Sequence, residues 1–330
     1  MREDGTFEAV LEHLSGVVGC GFDSVPRDGS QYIVGAQTGR PKHSDDPGPE
    51  PQAAQIFTVT LAAADRFGQT WTRTDLAVAN GEANRTWIWG PPFTKVFEEP
   101  YADAPGKMRK VQYFDKARME ITDPDGDRTS PWYVTNGLLV VEMVEGKIQT
   151  GDTQFDESPE PADIPIAGDP GSTSPTYAEI NRLGMLEIPA REPGTVIDEY
   201  IYTGQADIGT YDGYAAYGLT ATQHVPETRH AIASVFWEFM NSEIEFTPQP
   251  DYSYMIPLFE DPFYATGYPI TEAYWTTTLL RGEPADILWQ CFERRCLTYT
   301  PVNEAGWQVE AGNVGQHYFE WRDFEGSTVR

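Results

Sequence analysis

Apolar positions recur along the chain with two periods, and each period marks a kind of element. Over 228–242, Ile232, Val235, Phe236, Phe239 and Met240 fall on one stripe at i, i+3, i+4, i+7 and i+8, which predicts an amphipathic helix. A shorter helix is predicted over 176–186, with Thr176 as N-cap and Glu179 at the capping-box position. Elsewhere the period is two. Val111 and Tyr113 share a face, as do Met119 and Ile121, and Asp115-Lys116-Ala117 reads as the turn between two strands. Residues 56–61 (IFTVTL) and 86–89 are further strand candidates. The expected class is α+β, strand-dominated. Two stretches interrupt these patterns, 41–52 and 155–176, both charged and proline-rich. Proline removes a backbone donor, so each reads as a linker or a long ordered loop that wraps around the fold.

An internal repeat organises the rest. Gly90-Pro91-Pro92-Phe93-Thr94 matches Gly267-Tyr268-Pro269-Ile270-Thr271, and Val111-Gln112-Tyr113-Phe114-Asp115-Lys116 matches Trp289-Gln290-Cys291-Phe292-Glu293-Arg294. Met119-Glu120-Ile121-Thr122 then answers Leu297-Thr298-Tyr299-Thr300, Trp132-Tyr133-Val134 answers Trp307-Gln308-Val309, and Gly137 answers Gly312. The offset moves only between 175 and 178, so the order is preserved with small insertions. Each copy reads as a Gly-led turn, then a hairpin, with Trp132 and Trp307 expected as core side chains covering it. The division expected is an N-terminal segment and linker (1–53), a β-rich module (54–150) holding copy one (90–145), an acidic loop with a helical and Tyr-Gly-rich insert (151–266), and copy two (267–330). The two related β-rich modules would pack with the helical insert between them.

The order Gly-x-Pro-x-Thr, Gln-x-Phe-Asp/Glu, Trp-x-Val and Gly resembles the LGFP repeat of secreted and cell-wall-associated bacterial proteins. That likeness covers about a third of the chain. The fuller strings QYFDKARMEI and QCFERRCLTYTP…GWQVEAGNVGQHYFEWR, with ASVFWEFMNS and FYATGYPITEAYW, are similar to a group of uncharacterised exported bacterial proteins. Lys116-Ala117 and Arg294-Arg295 stand where the LGFP repeat favours glycines, so its turn type need not transfer. The resemblance implies an extracellular or cell-envelope location and says nothing about catalysis.

Composition narrows the partners. Lys and Arg total 23 against 51 Asp and Glu, a formal charge of −28, which would repel nucleic acid and anionic membrane surfaces. No apolar run approaches a membrane span, so no membrane insertion is expected. Met1-Arg2-Glu3-Asp4 lacks the layout of a secretory leader, so the expectation of export rests on the resemblance. The acid excess with only six lysines also suits a halophile's cytosolic protein, but abundant aromatics and 26 prolines favour a secreted one. Of Cys20, Cys291 and Cys296, three buried thiols are expected, although a hairpin could bring Cys291 and Cys296 face to face.

Candidate chemistry follows. Tyr211, Tyr214 and Tyr217 lie in a Gly-rich polar stretch that can present flat rings to sugar C–H faces, and Trp87, Trp89, Tyr274 and Trp275 near the opening turns form a second candidate set. For any single ring, core packing is the plainer reading. A glycosidase would need paired carboxyls, for which Asp115, Glu238 and Glu293 are the candidates. The plainer reading of Asp115 and Glu293 is that each pairs with local bases and fixes its turn. Asp123-Pro124-Asp125-Gly126-Asp127 resembles the front of a calcium loop, with Asp123, Asp125 and Asp127 as donors, but lacks the closing glutamate and reads equally as turn chemistry. No other cofactor is expected. The histidines lack zinc spacing, and there is no nucleophile elbow or dinucleotide fingerprint. The expectation is a non-catalytic extracellular or cell-envelope protein that binds glycan or another surface polymer, or self-assembles into a surface structure. A secreted glycan hydrolase is the alternative, and a halophile's cytosolic protein the second.

Overall fold

The computed structural model describes residues 66–169, 172–205, 207–249 and 252–322. The chain divides into two compact units, Met1–Ala83 and Asn84–Arg330. In the described part of the first, α1 (Arg66–Thr74) and α2 (Leu76–Ala79) form, and Phe67 and Trp71 are buried. The N-terminal segment 1–53, its linker at 41–52, the strand expected at 56–61 and Cys20 lie outside the described residues.

In the second unit strand residues outnumber helical ones, giving the α+β, strand-dominated class. Copy one builds an antiparallel sheet of β1 (Phe97–Pro100), β2 (Met108–Phe114), β3 (Ala117–Ile121) and β4 (Thr135–Asn136), followed by α3 (Leu139–Glu145). Then come the pair β5 (Ile148–Gln149) and β6 (Phe155–Asp156), α4 (Tyr177–Arg182), β7 (Glu199–Tyr200) and β8 (Gly209–Thr210). The pair β9 (Ala221–Val225) and β10 (His230–Ala233), α5 (Ser234–Met240), and a ribbon of β11 (Glu243–Gln249) and β12 (Tyr252–Pro257) complete the insert. Copy two repeats the first plan with β13 (Tyr274–Leu280), β14 (Glu283–Cys291), β15 (Cys296–Tyr299), β16 (Val309–Ala311) and α6 (Val314–Trp321). Its sheet gains β7 and β8 from the insert, β7 lying parallel to β13 where Tyr200 meets Trp275.

The repeated residues are the ones that knit each opening turn to its hairpin. Thr94 Oγ1 accepts from Tyr113 N at 3.0 Å, and Thr271 Oγ1 accepts from Cys291 N at 3.1 Å. Gln112 Nε2 donates to Thr94 O at 2.9 Å, and Gln290 Nε2 donates to Thr271 O at 2.8 Å. Gly90 and Gly267 sit at φ 70° and 69°, and a Cβ on either would approach the Cβ of Asp115 or Glu293 to 2.8 Å. Glycine is therefore needed there both for conformation and for room.

Each copy's helix starts on the other copy's hairpin. Val141 N in α3 donates to Glu293 O at 3.2 Å, while Gln316 N and Gly315 N in α6 donate to Asp115 O at 3.3 and 3.0 Å. Val141 and Gln316 stand 175 positions apart, an offset of the repeat, so the contact is reciprocal. These N–H groups have no partner inside their own helix, and the opposite turn supplies one. Gly315 allows the approach: a Cβ there would collide with Phe114 O and lie 2.7 Å from Ala117 O. Behind these contacts one core takes Val111 and Tyr113 from copy one, Leu139 and Val140 from α3, Trp289 from copy two and Tyr318 from α6. A second core, on the other face of copy two's sheet, joins Trp275, Leu288 and Phe292 to Ile232, Phe236 and Met240 of the insert.

Several expectations change. The helix predicted over 228–242 begins only at Ser234, because His230–Ala233 pairs with β9 and the Gln290 side chain bonds Ala231 O and Ala233 N. Tertiary hydrogen bonds there outweigh the helical period. The helix after Thr176 forms with its full capping box. Trp132 is 44% exposed and Trp307 half-buried, so neither is a core side chain; Trp132 lies against Tyr264 instead. Cys291 and Cys296 are not thiols but a disulfide, which the direct cross-strand register permits. The proline-rich stretch 155–176 wraps the core, into which Ala162 and Ile166 are packed. Residues 86–89 form no strand; Thr86 N instead donates to Gly306 O at 2.8 Å.

The interlock makes a signed prediction. Gly315→Ala should raise helix propensity by about 1 kcal/mol if the position is only a turn of helix. Because the Cβ has no room, the substitution should instead destabilise the protein by about 2–3 kcal/mol in urea unfolding. A gain in stability would contradict the reciprocal contact.

A candidate ligand platform of tyrosines

β13 alternates its side chains between the two cores, so Tyr274 and Trp275 point to opposite faces. Trp275 is fully buried and its Nε1 donates to Ile197 O at 2.9 Å. After β8 the chain makes a tight helical turn over Asp212–Tyr217, closed by Gly218 at φ 67°. That turn lays the Tyr214 ring on Trp275 at 4.7 Å and 6° between planes, and the Tyr217 ring on Trp275 at 4.8 Å and 28°. Tyr211 meets Tyr214 edge-on at 5.1 Å.

Tyr211 is 58% exposed and Tyr217 42%, and neither hydroxyl makes a hydrogen bond among the described residues. The rings beneath are fixed. Tyr214 OH donates to Asp286 Oδ1 at 3.4 Å, and Thr277 Oγ1 donates to the same oxygen at 2.5 Å. Burial, then the neighbouring Tyr202 hydroxyl, pushes the Tyr214 phenol well above its usual range, so it remains a neutral donor. No lysine or arginine occurs between Glu192 and Thr228, and the stretch carries Asp198, Asp207 and Asp212. Two exposed phenols backed by two immobile rings can stack on a flat apolar face while their hydroxyls bond its polar edge.

Of the seven aromatic candidates, Tyr211, Tyr214, Tyr217 and Trp275 come together. Tyr274 packs instead at a tilt against Trp289 in the other core and lies under the Arg191 guanidinium at 4.8 Å. Trp89 is buried beneath Arg295 at 4.9 Å and edge-on to Tyr264, while Trp87 is half-buried on the same segment.

The carboxylate candidates do different work. Asp115 Oδ1 accepts from Gln316 Nε2 at 2.6 Å, across the interlock, and Glu293 Oε2 accepts from Tyr268 N at 2.9 Å, within its own opening turn. The neighbouring bases bond backbone instead: Lys116 reaches Ala311 O, and Arg294 reaches Phe263 O and Tyr264 O. Glu293 therefore fixes its own opening turn while Asp115 ties to the opposite copy's helix, and each carboxyl still lies in the field of its neighbouring base, Lys116 for Asp115 and Arg294 for Glu293. Glu238 is exposed on α5. Asp123 Oδ1 accepts from Asp125 N at 3.0 Å and Asp127 Oδ1 from Thr129 N at 2.9 Å, which is turn chemistry. Among the described residues no group of three or more His, Cys, Asp or Glu side chains is placed to hold a metal ion.

A buried ionic cluster escaped the sequence reading, because its members come from separate elements with no motif. Arg118 meets Glu120 at 2.7 Å and Glu142 at 3.2 Å, and Arg109 meets Glu120 at 3.2 Å and Glu99 at 3.4 Å. Tyr318 OH donates to Glu142 Oε2, and Arg118 lies 4.9 Å from the centre of the Tyr318 ring. Burial alone would raise Glu120, but Arg109 and Arg118 hold it below the usual carboxylate range; Glu142, for which burial outweighs Arg118, is raised. All five charged groups are buried, so the cluster joins strands and helices and is closed to ligands.

No protein-family model matches the chain, and no curated protein or solved structure matches it. Among the described residues no helix is long and apolar enough to cross a membrane.

His317, on α6 where α3 carries Glu142, sets a pH dependence. Burial, with the Lys116 charge, pulls it down to about 4, and its Nδ1 lies 3.0 Å from Tyr177 OH. An unfolded histidine binds its proton near pH 6.5. Between pH 6.5 and 4 the unfolded state therefore holds the extra proton, and stability falls with falling pH by up to about 3 kcal/mol. His317→Gln should flatten that window in pH-dependent urea melts; an unchanged slope would show that another group carries it.

Proposed function

We propose that the chain is a non-catalytic extracellular or cell-envelope protein that binds glycan through the tyrosine platform. The observation that carries this reading is the pair of exposed rings, Tyr211 and Tyr217, held on the buried Tyr214 and Trp275 with their hydroxyls open. Sugars present C–H faces to such rings and hydroxyls to the phenols, and the acidic residues of the same stretch favour neutral or amino sugars over uronates and phosphates. The Cys291–Cys296 disulfide supports an oxidising compartment, since cytosolic proteins usually keep such pairs reduced. The resemblance to LGFP repeats and to exported bacterial proteins is in keeping with that location.

A glycan array probed with the intact protein, followed by calorimetric titration of the hits, tests the proposal. Neutral or amino-sugar oligomers should bind, and replacing both exposed rings (Tyr211→Ser with Tyr217→Ser) should weaken binding at least about tenfold while leaving the melting temperature near that of wild type. Equal binding by the double variant, or hits confined to acidic glycans, would overturn it.

A further inference from the structure

The tyrosine platform holds a carboxylate that the stacked rings alone do not explain. In the β13–β14 hairpin Trp275 pairs with Leu288 and Thr277 with Asp286. Trp275 and Leu288 face the second core, so strand alternation puts Thr277 and Asp286 on that same face of the sheet. Tyr214 joins the two rows, its ring stacked on Trp275 and its hydroxyl donating to Asp286 Oδ1. Thr277 Oγ1 donates to the same oxygen, and Tyr202 OH, just past β7, lies 3.3 Å from Thr277 Oγ1. One oxygen of the carboxylate is thus held by hydroxyls from two strands and the platform turn.

The other oxygen is unused. Among the described residues Asp286 Oδ2 accepts no hydrogen bond, and it is not one of the unpartnered buried atoms, so it stays open to solvent. No base answers the charge either. Arg281 stands at the hairpin's tip, beyond the Leu280–Glu283 pair and three pairs further along, and forms no ion pair with Asp286 among the described residues. Asp286 is half-buried, and a charge partly withdrawn from water without a counter-ion costs free energy. An asparagine carbonyl would accept from Tyr214 and Thr277 equally well and carry no charge. The internal hydrogen bonds therefore do not account for an acid at this position, whereas a cation brought by a ligand does. The exposed rings limit which cation that is: Tyr211 lies edge-on to Tyr214 at 5.1 Å, so the carboxylate is reached by a ligand already lying on an aromatic surface. A sugar that carries a free amine offers both parts, a C–H face for the ring and an ammonium for a charge-assisted hydrogen bond.

We propose that Asp286 sets the specificity of the platform: its Oδ2 pairs with the ammonium of an unacetylated hexosamine in a glycan whose C–H faces lie on Tyr211 and Tyr217. This rests on the glycan reading of the platform and adds which sugar it selects. Tyr211 meets Tyr214 whereas Tyr217 meets Trp275, so the two exposed rings take different sugars of one oligomer. Tyr214, Thr277 and Tyr202 are positioning residues, which fix the carboxylate and leave the ligand its free oxygen.

The test uses the full chain and the β-linked hexamers of glucosamine and of N-acetylglucosamine as probes. Calorimetry is run at mildly acidic pH, where the amine is charged, and at about 150 mM salt, so that diffuse attraction is screened. Wild type should bind the glucosamine hexamer at least about tenfold more tightly than the N-acetylated one. Asp286→Asn keeps the acceptor for Tyr214 and Thr277, so it should melt near wild type, lose that preference and bind the N-acetylated hexamer unchanged. The control Asp125→Asn removes one charge from an exposed turn and should keep the preference. A wild type without the preference, an Asp286→Asn variant that retains it, or equal losses in the two variants would overturn the inference. In each of those outcomes the platform reading stands if Tyr211→Ser with Tyr217→Ser still abolishes binding of the hexamers. A wild type that binds neither hexamer also overturns the inference, and the glycan array then decides the platform reading by itself.

Discussion

The exchange of helix starts between the two copies is the contact on which the rest of the second unit depends. Val141 N bonds the Glu293 carbonyl and Gln316 N the Asp115 carbonyl, so each helix finds its missing acceptor in the other copy's turn. Neither copy can bury its hairpin alone, since α6 lies on β2 and β3 of copy one and α3 begins on the β14–β15 turn of copy two. The residues between the copies must therefore leave α3, travel to β13 and return the chain in register. In doing so they add β7 and β8 to copy two's sheet and supply the second core.

The same scaffold position has been filled in two ways. The cross-strand pair Tyr113 and Arg118 in copy one corresponds to Cys291 and Cys296 in copy two. Copy one meets the shared core with buried charge held by Glu120 and Glu142, and copy two with a covalent bond. A buried ion pair needs all of its partners, so the loss of one leaves a charge stranded. The opening turns, in contrast, keep the same bonds in both copies because Thr, Gln and Gly perform backbone tasks that do not depend on what fills the core. The insert is free of that constraint. It carries the surface with a candidate binding role, the tyrosine platform.

What the sequence made legible was local or repeated. The hairpin alternation, the Gly-led turns and the Thr176 capping box could be read because their partners lie close in the chain or recur. The Tyr211, Tyr214 and Tyr217 cluster was legible as composition, and Trp275 joins it only because β7 lies beside β13. Tyr274, its neighbour, faces the opposite core through strand alternation, which the sequence pattern allowed but could not assign. Distant partners defeated the rest. The turn from strand to helix at Ser234 depends on Gln290, the Cys291–Cys296 bridge on hairpin register, and the ionic cluster on five separate elements. Trp132 looked like a core residue because it recurs, yet it lies at the surface against Tyr264, while Trp307 donates to Asn84 Oδ1.

The central claim, that the copies form one interlocked body, is tested most directly by cutting the chain between them. Residues 192–196 are exposed and lie between the copies, so a specific protease site placed there can be cleaved without disturbing either sheet. After cleavage the two fragments should stay together on native gel filtration and melt in a single transition close to that of the uncut protein. Fragments that separate under native conditions, or melt independently, would contradict the interlock.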